Sequence, residues 1–172
     1  MKNIIVTGNN MKFREKRAKT FIFSVFLVIT FFHGSLRSET VEQIDFKNIS
    51  GNWKLMYDNN YGYSFKLGKN YKAVVILYLS TASIIFKGVY TIEEKNILRI
   101  NISEMKREEK TKGLNTSGGF KKAKSSYFLF QSRIVNDSGK RFLEIRPATI
   151  SIDGNDSGGY FEPLIRLGRE GK

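Results

Sequence analysis

From position 50 onward, apolar residues recur at every second position in short runs separated by Gly, Asn, Asp and Ser. A period of two marks strands that bury one face. Trp53, Leu55 and Tyr57 share one face of a run over 52–58, with Lys54, Met56 and Asp58 on the other; Asp58-Asn59-Asn60 is turn chemistry. Tyr61, Tyr63, Phe65 and Leu67 form the next face, and Gly68-Lys69-Asn70 turns the chain. A third run places Tyr71, Ala73, Val75, Leu77 and Leu79 opposite Lys72, Val74, Ile76, Tyr78 and Ser80. Its middle is apolar on both sides, which predicts an outer face that is covered or unusually greasy. In the fourth run, over 83–92, Ile84, Phe86, Tyr90 and Ile92 lie together, and Gly88 inside it predicts a bend or bulge. Glu93 to Asn96 reads as a polar hairpin loop before Leu98, Ile100 and Ile102.

The alternation stops over 105–124, a charged stretch rich in Gly, Lys and Ser that predicts a long basic loop. Strands resume over 125–135, with Phe128, Phe130 and Ile134 on one face. Asn136-Asp137-Ser138-Gly139 is a turn; Leu143 and Ile145, then Ile150 and Ile152, follow as strand positions. Asp153 to Gly159 is a further loop, and Phe161, Ile165 and Leu167 form the last strand, with Pro163 at an edge or bulge. Ahead of all this, 41–46 reads as a turn or single helical turn with Val41, Ile44 and Phe46 facing inward. The expected fold is all-β: an antiparallel up-and-down meander of about eight to nine strands, closed into a small barrel.

The N-terminal region has a different character. Lys12, Arg14, Lys16, Arg17 and Lys19 precede an uncharged run from Phe21 to Phe32. A basic region before a short apolar run is the pattern of a signal peptide, here a helix over 1–38 that starts at Met1 or Met11 and is cut after Ser38. The run is short for a spanning helix, which needs about 20 apolar residues. The expected protein is exported, to the periplasm, the outer envelope or the medium, with one domain over 39–172. Of the 29 basic and 16 acidic side chains, seven and one lie in the first 38 residues, leaving 22 against 15, a net of +7. The domain is still basic, which favours anionic partners or solubility.

The chain has no Cys, and its one His, His33, lies in the leader. The domain therefore lacks imidazole and thiol. That excludes Ser-His-Asp and Cys-His nucleophiles, His/Cys zinc sites and His- or Cys-held haem, and it argues against an enzyme. No cofactor is expected. Asp153-Gly154-Asn155-Asp156-Ser157-Gly158 resembles the start of a calcium loop, but Leu164 stands where a bidentate Glu belongs, and a hairpin loop explains the segment better. The pairs Glu93-Glu94 and Glu108-Glu109 are adjacent, so their side chains diverge along a strand.

Gly51-Asn52-Trp53-Lys54-Leu55, the aromatic stretch Tyr63 to Tyr71 with its Gly68 turn, and Lys87-Gly88-Val89-Tyr90-Thr91-Ile92 together resemble the small bacterial lipocalin-like domains, and more distantly lipocalins and fatty-acid-binding proteins. The likeness covers about positions 50–103; the Thr-Asp-Tyr element of lipocalins is absent. It implies a barrel plugged at one end by Gly51 and Trp53, with Arg166 of the last strand packed over the indole. Tyr57, Tyr63, Phe65, Phe86, Tyr90, Phe128 and Phe130 would point inward, either lining a cavity for a small apolar ligand or filling a dry core. Lys121, Lys122 and Lys124 are the expected contacts for an anionic glycan or lipid surface, unless the loop is simply solvated. No nucleic-acid motif is present, and nucleic acid is not an expected partner.

Overall fold

A computed structural model describes residues 39–57, 60–109 and 118–171. The expected leader over 1–38 lies outside the described residues. The strands are β1 (Glu39–Glu42), β2 (Gly51–Met56), β3 (Gly62–Leu67), β4 (Lys72–Tyr78), β5 (Ala82–Glu93), β6 (Ile97–Glu109), β7 (Lys121–Asp137), β8 (Lys140–Ile152), β9 (Asn155–Asp156) and β10 (Ile165–Arg169). One short helix, α1 (Phe46–Ile49), precedes β2.

Strands β2 to β8 pair in sequence order, and β10 closes the ring between β8 and β2, giving an antiparallel barrel of eight strands. The alternation expected from the sequence sets the register: Trp53, Phe65, Val75 and Phe86 stand opposite one another across β2 to β5, all buried. Directly opposed residues share a face, so one row places four large side chains in the core. The Gly88 expectation holds. β5 and β6 shift register at Lys87/Gly88, and a methyl group on Gly88 would lie 1.9 Å from the Asn101 carbonyl oxygen. The β7–β8 turn places Ser138 and Gly139 at φ 52° and 76°, the left-handed pair that a tight hairpin requires.

Four expectations are corrected. The stretch 105–124 is not one long loop. β6 runs on to Glu109 and β7 begins at Lys121, with Met105 opposite Lys121 and Glu104 opposite Lys122. Only Met105 and Ala123 of this stretch pack against the core, and β6 there also pairs with β5 over 82–86, so the charged residues between them hide the alternation in the sequence. The turn expected over 41–46 is β1 followed by α1, and Val41 and Phe46 are exposed while Ile44 is buried. The helix starts where Asp45 caps it: its carboxylate accepts from the backbone N–H of Lys47 and Asn48, and the Asn48 side chain accepts from the Asp45 N–H. β8 is a single strand through Pro147, the register shift against β7 absorbing the extra residue Ala148. Phe161 is not in the last strand; it lies in the loop before β10.

Outside the barrel, β1 extends β7 beyond the end of β6. Ion pairs clamp it there: Arg141 holds Glu42 at 2.9 Å, and Arg166 reaches Glu39 at 3.1 Å and Asp137 at 3.6 Å. Beside them the buried Glu144 carboxylate accepts from Arg133 at 2.7 Å. Arg133, Arg141, Arg146 and Arg166 thus meet Glu39, Glu42, Asp137 and Glu144 in one ion-pair cluster.

Candidate functional site

The interior was the first candidate. Tyr63, Phe65, Phe86, Tyr90, Phe128 and Phe130 do point inward, and each is at most 1 % exposed. Strands β3 and β7 lie four positions apart in either direction around the eight, on opposite walls. Their rings nevertheless touch: Phe65 and Phe130 meet edge-to-face with centroids 5.6 Å apart. Phe161 enters from the loop before β10 and contacts both, together with Phe128 at 5.3 Å and Tyr63, on which it stacks at 5.8 Å. Aromatic pairs of this geometry add roughly 0.5–1.5 kcal/mol each beyond area burial. The walls thus meet through their own side chains.

The ends of the barrel differ. At one, α1 lies under Trp53, whose indole N–H donates to the Ile49 carbonyl at 2.7 Å. The indole is fully buried. The arginine over it is Arg169, 5.3 Å from the ring and donating to the Ser50 carbonyl at 3.0 Å, not Arg166. Strand parity explains the correction. Ile165 and Leu167 point inward, so Arg166 points out, opposite Glu144, whereas Arg169 shares their parity and stands opposite Trp53. Gly51 lies beside this guanidinium with φ 144°, where a side chain is strained. Tyr90 reaches the same end, its hydroxyl donating to the Gly68 carbonyl at 3.0 Å.

Tyr57 does not line the interior. It lies past the end of β2, is 40 % exposed, and its hydroxyl donates to Glu162 at 2.7 Å. It stacks on Tyr61, whose hydroxyl meets that of Tyr63 at 3.2 Å. Burial, then the Glu162 contact, pushes the Tyr57 phenol up to about 12. Burial also raises Tyr63, with the Tyr61 bond second. This tyrosine rim and the loop carrying Phe161 cover the end opposite Trp53.

The charged candidates lie elsewhere. Lys121, Lys122 and Lys124 are exposed on the first residues of β7. Two further rows of lysines sit on the outer face of β2 to β6, and sequence reasoning passed over them. Lys54, Ser64, Ile76, Ile85 and Lys106 stand in register in one row. Lys66, Val74, Lys87, Glu104 and Lys122 form the next. Among the described residues, Lys66, Lys72, Lys87 and Lys122 make no ion pair. Lys87 lies over the exposed Phe120 ring at 3.6 Å, and Lys106, paired with Glu108, lies 5.6 Å from the same ring. The signal was available: the outward residues of the third and fourth runs are apolar or Lys, but rows across strands need the register.

The start of the calcium-like loop is used otherwise. Asp153 accepts from the Lys124 N–H at 2.9 Å, and its own N–H donates to the Ser126 hydroxyl at 2.8 Å, tying the β8–β9 turn to β7. No group of acidic side chains suited to a metal occurs among the described residues. A half-open cleft of about 490 Å³ lies outside the barrel between β1 and the end of β6, lined in part by Gln131, Arg133, Glu144 and Arg146. It adjoins the balanced ion-pair cluster. Comparison with family models, with curated proteins and with solved structures finds no match to this chain.

Proposed function

We propose that this chain is an exported, non-enzymatic β-barrel of lipocalin-like type that works through its outside, recognising an anionic partner with the lysine-bearing face of β3 to β7. The observation that carries this reading is an excess of lysine: Lys66, Lys72, Lys87 and Lys122 lie on one side and make no ion pair among the described residues, with Glu104 the one acid in their row, while the arginines of the opposite side are matched by acids. Unneutralised lysines in a patch raise the local potential and steer anions to it. Export rests on the basic-then-apolar leader, and the absence of catalysis on a domain without His or Cys. The test is binding to immobilised heparin as a generic polyanion. Retention should weaken steeply with salt, and should fall when Lys66, Lys87 and Lys122, or Lys121, Lys122 and Lys124, are changed to Gln. Retention that ignores both salt and these changes would refute it.

A second reading, an apolar ligand inside the barrel, is favoured by one observation. Phe161 is the interior ring supplied by a loop, and Gly158, Gly159 and Pro163 surround it in sequence. A ligand admitted at the tyrosine rim would take the place of that ring among Phe65, Phe128 and Phe130. Organic extraction of the purified protein followed by mass spectrometry tests this; a protein free of lipid that also shows no Phe161 displacement on titration with fatty acid would end it.

A further inference from the structure

The outer face of β4 and β5 holds more than charge. Val74 and Ile76 alternate with inward residues on β4, and Ile85 and Val89 do so on β5. The register puts Ile76 beside Ile85, and Val89 beside Lys72. Val89 is 49 % exposed, and Val74, Ile76 and Ile85 are partly so. Outward positions of an antiparallel barrel are normally polar, so this stripe needs an account. Lysines frame it: Lys54 and Lys106 close the two ends of the Ile76–Ile85 row, and Lys66 and Lys87 flank Val74. The third run's two-sided apolar character, visible in the sequence, is therefore this stripe, and none of the chain's described elements covers it.

We infer that this face docks on an anionic lipid surface. The inference rests on the reading that the basic outer face is the working one, and it names the partner. A soluble polyanion would use the lysines and leave Ile76, Ile85 and Val89 in water. A bilayer interface uses both, because shallow apolar insertion and headgroup attraction act together where either alone gives only marginal binding. Lysine suits the rim, since its stem lies along apolar surface while the ammonium stays at the headgroups. Each lysine near an anionic leaflet contributes a factor of about five in affinity, and the attraction falls off within a Debye length.

The experiment is co-sedimentation of the full chain with two vesicle types, phosphatidylcholine alone and phosphatidylcholine with roughly one-third phosphatidylglycerol. The leader is itself basic and apolar, so the readout is the difference between wild type and face variants that share it. Lys66→Gln with Lys87→Gln should weaken binding to the anionic vesicles by more than about tenfold. Ile76→Ser with Ile85→Ser should weaken it as well, while leaving heparin retention unchanged. Buried Trp53 emission serves as the control that each variant is folded.

Three results would overturn the inference. One is anionic-vesicle binding that is insensitive to the isoleucine pair. Another is a dimer that dissociates on Ile85→Ser, which would make the stripe a contact between copies. The third is salt-sensitive heparin retention with no vesicle difference, which sinks the lipid assignment and leaves the anionic-partner reading standing; loss of both signals sinks both.

Discussion

At the scale of single residues, one arginine takes the role the sequence assigned to another three positions away. Arg169, not Arg166, covers Trp53. Arg169→Ala should therefore shift the emission of this lone tryptophan to the red and cost about 1 kcal/mol, the scale of a partly exposed cation–π contact with one hydrogen bond. Arg166→Ala should leave the emission unchanged and act on β1 instead, since its partners are Glu39, Asp137 and Glu144. Fluorescence and urea denaturation of the two variants separate the roles. The tyrosine rim makes a pH prediction. Folding raises the Tyr57 phenol to about 12, through burial and the Glu162 bond. An unfolded tyrosine releases its proton near pH 10, so between about pH 10 and 12 the folded chain holds protons that the unfolded chain has lost. Stability from this group is thus complete below pH 10 and declines as pH rises through 12. Urea midpoints measured across that window should fall more steeply for wild type than for Tyr57→Phe; parallel declines would show that the contact contributes nothing.

At the scale of elements, the hairpins carry the topology, and one close approach holds β5 to β6. Gly88→Ala would drive a methyl group into the Asn101 carbonyl. Overpacking of this kind costs typically about 1–3 kcal/mol, and the affected amides should lose hydrogen-exchange protection along β5 and β6 first. A methyl group on Gly139 meets no atom within 4 Å, so Gly139→Ala pays only for its φ of 76° and should be milder. The segment before β2 is a strap: β1 pairs with β7 and is clamped by Arg141 and Arg166, Ile44 and Ile49 are buried in the core, and the Asp45 capping box starts α1. Asp45→Ala should cost roughly 1 kcal/mol. The continuation of β6 and β7 through 105–109 and 121–124 was invisible in the sequence, because only Met105 and Ala123 there pack against the core and the charged residues around them mask the alternation. Gly88 and the Ser138-Gly139 turn were legible for the opposite reason: their backbone geometry admits few other residues.

At the scale of the whole molecule, closure joins β2 to β10 through contacts such as the Glu170 N–H to the Asn52 carbonyl at 2.9 Å. These residues are far apart in sequence, so the ring closes late and at a loop-closure cost. Refolding followed by Trp53 emission should occur in milliseconds to seconds, as for other all-β barrels; a sub-millisecond recovery would show that the indole buries before the ring forms. The finished barrel separates charge, with balanced arginines and acids around β8 and lysines without ion-pair partners on β3 to β5 across the ring. That separation, together with the apolar stripe between the lysines, makes the two sides of the barrel chemically different.

Sequence alone determined the barrel and most of its inward residues, Tyr57 excepted. A two-residue period, broken by Gly and Asn turns, leaves a strand one way to bury its rings, and Trp53, Phe65, Phe86 and Phe128 obey it. It also settled the absence of imidazole and thiol from the domain. Three things waited for the tertiary structure: that Phe161 enters from a loop to meet rings on facing walls, that Arg169 and not Arg166 caps the indole, and that lysines distant in the chain form rows around a shared apolar stripe. Periodicity says which face of a strand is buried. Only register, a property of two strands at once, says which residues become neighbours.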